Sequence, residues 1–183
     1  MSTNLYFTAN NYFNGNELWR VNPDGSVSLV ADINPGTGSS NPGFFTPFMG
    51  ELYFQATGAT GGSELYKVAA AGSVVQVADI NPGPGDSRPV DFIEYNGALY
   101  FTASTATAGR ELWTVAADGT VHQVSDILPG SGSGVGNSEF IIFNGELYFT
   151  PRNPINTFNE LWKVKADGTI AHGSEVRLTS RSG

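Results

Sequence analysis

Cysteine is absent from this chain of 183 residues, histidine occurs twice, and 9 basic residues face 17 acidic ones. Each scarcity removes a class of function. Without cysteine there are no disulfides, no thiolate zinc sites and no cysteine nucleophile, although the compartment stays open because many secreted bacterial proteins also lack it. The formal net charge of -8 repels phosphate backbones and anionic lipid. No basic cluster offsets it, so nucleic acid is not an expected partner. No stretch reaches the ~20 apolar residues of a membrane span, and the N-terminus has no basic region followed by an apolar run; membrane insertion is not expected. The chain begins inside a repeat, as a fragment of a longer array does, and any targeting signal is expected outside it. An apolar fraction of 40% suffices for a folded core.

What is present is repetition. Leu-Tyr-Phe occurs at Leu5, Leu52, Leu99 and Leu147, with spacings of 47, 47 and 48 residues. A second marker keeps step with it: Glu17-Leu18-Trp19, Glu64-Leu65-Tyr66, Glu111-Leu112-Trp113 and Glu160-Leu161-Trp162. A Gly-Ser or Gly-Thr turn follows at Gly25, Gly72, Gly119 and Gly168, preceded by Asp in every copy but the second. Two independent markers in register define four tandem units, at about 1–43, 44–90, 91–138 and 139–183, forming a single repeat domain.

Each unit reads as four short strands between turn signals, with no helical period to compete. In the first full period the strands fall near Leu5 to Ala9, Glu17 to Val21, Val27 to Ile33 and Phe44 to Met49. Met49-Gly50, Asn96-Gly97 and Asn144-Gly145 predict type I′ hairpin turns, and the Asp-Gly turns are expected to do the same job. Four-stranded units at this period predict an all-β fold, a β-propeller of four repeats, with Phe44 to Met49 an innermost strand. The N-terminal copy has no innermost strand before Leu5. A four-bladed ring therefore stays thin in one blade unless Arg177 to Gly183 or a second chain closes it, and the alternatives are a homodimer completing an eight-bladed ring, or an open slice of an array.

The repeated Glu-Leu-Trp, followed by Asp-Gly or Asp-Gly-Thr, resembles the bacterial repeat family named for its Glu-Leu-Trp-x-x-Asp-Gly-Thr signature. The match runs through Glu17 to Gly25, Glu111 to Thr120 and Glu160 to Thr169, and departs in the second copy at Tyr66 and Ala71. The resemblance implies a propeller-like fold and an extracellular or cell-surface setting. It brings no catalytic residues with it.

The long, copy-specific connections, Asn10 to Asn16, Thr57 to Ser63, Ser104 to Arg110 and Arg152 to Asn159, share one end with the inter-repeat loops that begin at Asp32, Asp79 and Asp126. Binding residues are expected there. The inter-repeat loops place Asp32 and Asn34, Asp79, Asn81 and Asp86, and Asp126 among exposed carbonyls. These oxygens suit calcium, but the same pattern is a turn device, and Leu128 removes a ligand from the third copy. Trp19, Trp113 and Trp162 are candidate sugar platforms. Their recurrence in register favours packing between blades, each burying ~150 to 250 Å². The loop residues Tyr12, Phe13, Arg110 and Phe158 complete the ligand-binding set, with loop anchors folded back on the sheet as the rival reading for the aromatics. Glu17, Glu64, Glu111 and Glu160 suit a cation or a sugar hydroxyl near the loop end, but the favoured expectation is that they accept N–H bonds from a neighbouring loop and fix the blade junction, since a buried carboxylate needs such donors.

Enzymatic function is the weaker reading. His122 and His172 sit in outer strands, away from the loop end, and no phosphate loop or dinucleotide fingerprint is present. A glycosidase pair would have to come from Asp86, Asp91, Glu94 and Glu139. The expectation is a non-catalytic module that binds a glycan or extracellular matrix component, with a structural or self-associating unit as the alternative and a glycoside hydrolase a distant third.

Overall fold

The computed structural model describes residues 4–136, 140–152 and 160–175. Every described element of regular structure is a strand, and the fold is all-β and propeller-like. β1 (Leu5–Asn11), β2 (Gly15–Val21) and β3 (Val27–Ala31) form a three-stranded sheet. Three four-stranded sheets follow in chain order: β4 (Gly43–Phe48), β5 (Glu51–Thr57), β6 (Ser63–Val68) and β7 (Val74–Ala78); β8 (Val90–Tyr95), β9 (Ala98–Thr105), β10 (Gly109–Val115) and β11 (Val121–Ser125); β12 (Ile141–Phe143), β13 (Glu146–Phe149), β14 (Glu160–Val164) and β15 (Ile170–Glu175). In each sheet spatial order equals chain order, the antiparallel meander predicted from the turn spacing. The first sheet has no strand inside β1 among the described residues.

The chain divides into two compact units, Met1–Phe92 and Ile93–Gly183. In the first, Tyr6, Leu18, Val30 and Ile33 of the first repeat pack against Phe54, Ala56, Tyr66 and Val68 of the second. In the other, Tyr100, Leu112, Val124 and Ile127 of the third repeat pack with Leu147, Phe149, Trp162 and Val164 of the fourth. Period-two alternation makes these faces: Phe54 stands opposite Tyr66 and Leu52 opposite Val68, all on one side of the sheet. Each fully buried large apolar side chain contributes ~1.5 to 3 kcal/mol, and neighbouring sheets cover surfaces that a lone sheet would expose.

Three details differ from expectation. The β1–β2, β5–β6 and β9–β10 hairpins extend further than predicted, so these connections shrink to a few residues, such as Tyr12 to Asn14. The third strand of the first copy ends at Ala31 instead of Ile33, because the Ile33 amide leaves the ladder to bond Glu17 Oε2 at 2.9 Å. The Asp-Gly turns are not type I′. Only the glycine has positive φ (Gly25, 83°), Gly25 N–H donates to Asn22 O at 2.9 Å and Asn22 N–H to Ser26 O at 2.8 Å, which is a type I turn followed by a left-handed glycine. The Asp24 carboxylate accepts from the Ser26 amide and hydroxyl, and this bonding holds it below its ordinary range. Met49-Gly50, Asn96-Gly97 and Asn144-Gly145 do have positive φ at both residues, as type I′ requires.

Candidate functional site

In the first three repeats the inter-repeat loop is organised around a buried carboxylate. Glu17, Glu64 and Glu111 are completely or almost completely shielded from solvent. Glu64 Oε2 accepts from Ile80 N–H at 2.8 Å and from the Ser87 hydroxyl at 2.7 Å, while Oε1 accepts from Ser87 N–H at 3.1 Å. Glu17 repeats the arrangement with Ile33 N–H, Ser40 N–H and the Ser40 hydroxyl. Such donors are what a carboxylate needs to be tolerated in the interior. The outcome is the predicted one: these residues lock the inter-repeat loop to the start of β2 and of β6. Ser40 O then accepts from Thr57 N–H at 2.8 Å, tying the lock to the next sheet.

The third copy departs. Gly134 stands where Ser40 and Ser87 stand, so Glu111 keeps the amides of Ile127 (2.9 Å) and Gly134 (2.7 Å) but has no serine hydroxyl in that place. Burial, only partly offset by these amides, pushes its carboxyl up to about 7. Burial also raises Glu64, against the opposing Ser87 bond. Glu160 of the fourth copy has different company: it accepts from Trp162 Nε1 at 3.3 Å and lies 3.2 Å from His172 Nε2.

A second repeated contact presses the β5–β6 connection against the same loop. A Cβ placed on Gly62 (φ 79°) would lie 2.4 Å from Gly85 O, and Gly15 and Gly109 approach Gly38 O and Gly132 O in the same way. The candidate calcium ligands take part in this packing. Asn34 Nδ2 donates to Ser39 O at 3.3 Å and Asn81 Nδ2 to Asp86 O at 3.2 Å. Asp86 accepts from Ser63 N–H at 2.9 Å and pairs with Arg88 at 2.8 Å. Asp32 Oδ2 accepts from Asn14 Nδ2 at 2.8 Å, whereas its Oδ1 is buried without a hydrogen-bond partner. Asp79 and Asp126 are exposed at the starts of their loops. Among the described residues, no group of three or more His, Asp or Glu side chains is gathered as a metal site.

Tyr12 and Phe13 do not fold back on the sheet. They are 97% and 80% exposed at the tip of the β1–β2 turn. The turn beneath them is braced: Asn11 Oδ1 accepts from Phe13 N–H at 3.0 Å and from Asn14 N–H at 2.7 Å, and Asn14 reaches on to Asp32. Phe158 lies outside the described residues. The aromatics at the Trp position each face a Phe across the strand pair, Phe7 opposite Trp19, Phe101 opposite Trp113 and Phe149 opposite Trp162. Trp162 also packs into the core between the third and fourth sheets.

Arg110 is the second residue of β10, and its Nη1 donates to the buried Thr102 hydroxyl at 2.8 Å. It lines an open cavity of about 350 Å³ with Ser133, Val135, Gly136 and Arg152. A neighbouring cavity of about 230 Å³ is walled by Ile127, Leu128, Pro129, Pro151, Arg152, Glu160 and Trp162. Arg152 was missed by motif reading. The signal was its departure from the repeat, since the same offset from Leu-Tyr-Phe gives Asn10, Thr57 and Ser104 in the other copies. His122 is exposed on β11. Of the acids considered for catalysis, Asp91 and Glu94 lie on β8, Asp86 is engaged as above, and Glu139 is outside the described residues.

No family model matches the chain, and no curated protein matches it. Among solved structures it is similar to puromycin hydrolase, at 14% identity and a TM-score of 0.56, over 97% of this chain and 28% of that one for a mutant in complex with PGG. A second structure of puromycin hydrolase gives the same identity and TM-score over 95% and 27%. An α-L-arabinofuranosidase from Clostridium thermocellum matches at 18% identity and a TM-score of 0.41, over 92% of this chain and 68% of that one. The chain thus spans little more than a quarter of the puromycin hydrolase chain, and the likeness is one of fold alone.

Proposed function

We propose that this chain is a non-catalytic module that binds carbohydrate, or a glycan-bearing matrix component, through its loop end, outside the cell. The observation that carries the reading is the exposed Tyr12–Phe13 pair on a turn rigidified by Asn11, Asn14 and Asp32. An aromatic face suits the apolar side of a pyranose, and a braced turn reduces the ordering cost of binding. The extracellular setting rests on the Glu-Leu-Trp and Asp-Gly resemblance. The net charge of -8 argues against a nucleic acid partner. The test is a glycan array probed with and without calcium. Expected is retention of a defined set of saccharides, weakened at least tenfold by the double substitution Tyr12→Ala and Phe13→Ala at unchanged thermal midpoint; an array blank under both conditions overturns the reading.

A second reading, self-association, is favoured by one specific feature. β1 pairs with β2 on one side and has no strand on the other among the described residues. A copy that supplies such a strand would give the dimer considered from the repeat count.

A further inference from the structure

The departures of the last two repeats from the common pattern converge on one place. Arg110 replaces Asn16 and Ser63, Leu128 replaces Asn34 and Asn81, and Arg152 stands where the other copies have Asn10, Thr57 and Ser104. The repeated frame does not require any of the three, because the first and second copies fold the same loops without them. All three border the two adjoining cavities, and Arg152 lines both. In a chain with only 9 basic residues, two guanidinium groups line one cavity. One of them is held in place: Arg110 Nη1 is bonded to Thr102 Oγ1, and Thr102 is fully buried. Guanidinium groups offer forked N–H donors that match a carboxylate, while Lys would offer only a point charge.

The second cavity has the complementary character. Leu128, Pro129, Pro151 and Trp162 give it apolar walls, and Glu160, fixed by Trp162 Nε1 and His172, supplies an acceptor in this cavity, which Arg110 does not line. A ligand carboxylate is repelled by Glu160 and drawn to the arginines, whereas ring hydroxyls suit the Glu160 side. The two cavities therefore impose a direction on a ligand that carries one carboxylate on a small polar ring.

We propose that these adjoining cavities form a single subsite for a uronic acid residue of an acidic polysaccharide, with the carboxylate between Arg110 and Arg152 and the ring against Leu128, Pro129 and Trp162. The inference rests on the reading of the loop end as a glycan-binding surface and adds the class of glycan. It also places the acid-binding subsite in the third and fourth repeats, apart from the Tyr12–Phe13 turn of the first.

The experiment is calorimetric titration of the whole chain with a galacturonate trimer and with the same trimer after reduction of its carboxyl groups, at low and at physiological salt. Expected is binding of the acidic trimer that weakens with salt, and at least tenfold weaker binding of the reduced one. Arg152→Ala should lower affinity for the acidic trimer tenfold or more and leave that for the reduced trimer unchanged. Arg152 is exposed, so this substitution keeps the question open to refutation even if Arg110→Ala disturbs the loop. Equal affinity for the two trimers overturns the acid subsite and leaves the glycan reading standing. Binding of neither, with a blank glycan array, overturns both. Equal binding of a short N-acetylated peptide through its α-carboxylate overturns the choice of a sugar acid.

Discussion

The chemistry of single residues concentrates in the buried glutamates, which share one backbone environment and differ in one neighbour. Glu64 has a serine hydroxyl at 2.7 Å, whereas Glu111 faces Gly134 at the equivalent position. The direction of the pH effect follows from the raised Glu111 value, from an ordinary 4.5 to about 7. Below 4.5 the carboxyl is protonated whether the chain is folded or unfolded, and its contribution to stability is fully present. As pH rises from about 4.5 to about 7 the unfolded chain releases the proton while the folded chain retains it, and stability falls. Glu64 acts in the same direction. The acids whose values are lowered, Asp24, Asp86, Asp118, Asp167, Glu51 and Glu146, act below their ordinary values of 3.8 and 4.5, outside this window. Urea unfolding of the native chain across pH 4 to 8 should therefore show a decline, and Glu111→Gln, neutral throughout, should remove most of it; a variant that keeps the full slope refutes the assignment. That a carboxylate repeated before Leu-aromatic would serve a loop was readable from the recurrence of Glu17, Glu64 and Glu111. The replacement of one serine by glycine carried no meaning until the loop brought position 134 to position 111.

At the scale of elements, hairpin geometry separates what sequence encodes openly from what it hides. Asn96-Gly97 and Asn144-Gly145 announce type I′ turns, and the structure has them. The bulge that recurs between Leu18 and Trp19, Leu65 and Tyr66, Leu112 and Trp113, and Leu161 and Trp162 is less open: its extra residue, Val30, Val77, Val124 and Gly173 in turn, breaks the alternation of the outer strand, and no turn residue common to the four copies marks the place. The contact between connections is equally silent. Gly62 reads as one more loop glycine, yet its Cα hydrogen points at Gly85 O, with no room for a methyl group. Gly25 has a similar φ, 83°, but open space around it. Gly25→Ala should therefore lose only the left-handed conformational cost, ~1 to 2 kcal/mol, and Gly62→Ala should lose that and a further ~1 to 3 kcal/mol from overpacking. Chemical denaturation of the two variants decides it: equal losses would mean that the loop yields, and that the β5–β6 connection is not clamped.

For the whole molecule, the repeat count was legible in the 47- and 48-residue spacings of Leu-Tyr-Phe, and the structure gives the first sheet three strands among the described residues where the other sheets have four. The consequence lies in the edge this leaves. β5, β9 and β13 have a strand on either side, whereas β1 is paired only with β2 among the described residues. Edge strands left open in natural proteins carry charges or proline to discourage pairing. β1, Leu-Tyr-Phe-Thr-Ala-Asn-Asn, carries neither, and Leu5 is 64% exposed. An edge with no partner strand among the described residues, on an uncharged strand, is an acceptor for an added strand, which gains main-chain bonds in the way β-augmentation does. Light scattering over a wide range of concentration should accordingly give a mass that rises from one chain to two. Leu5→Lys, which places a charge on the edge without touching the buried face, should shift the midpoint of that rise to at least tenfold higher concentration. A mass that stays at one chain at every concentration would remove self-association as a reading and leave the loop-end module as a monomer.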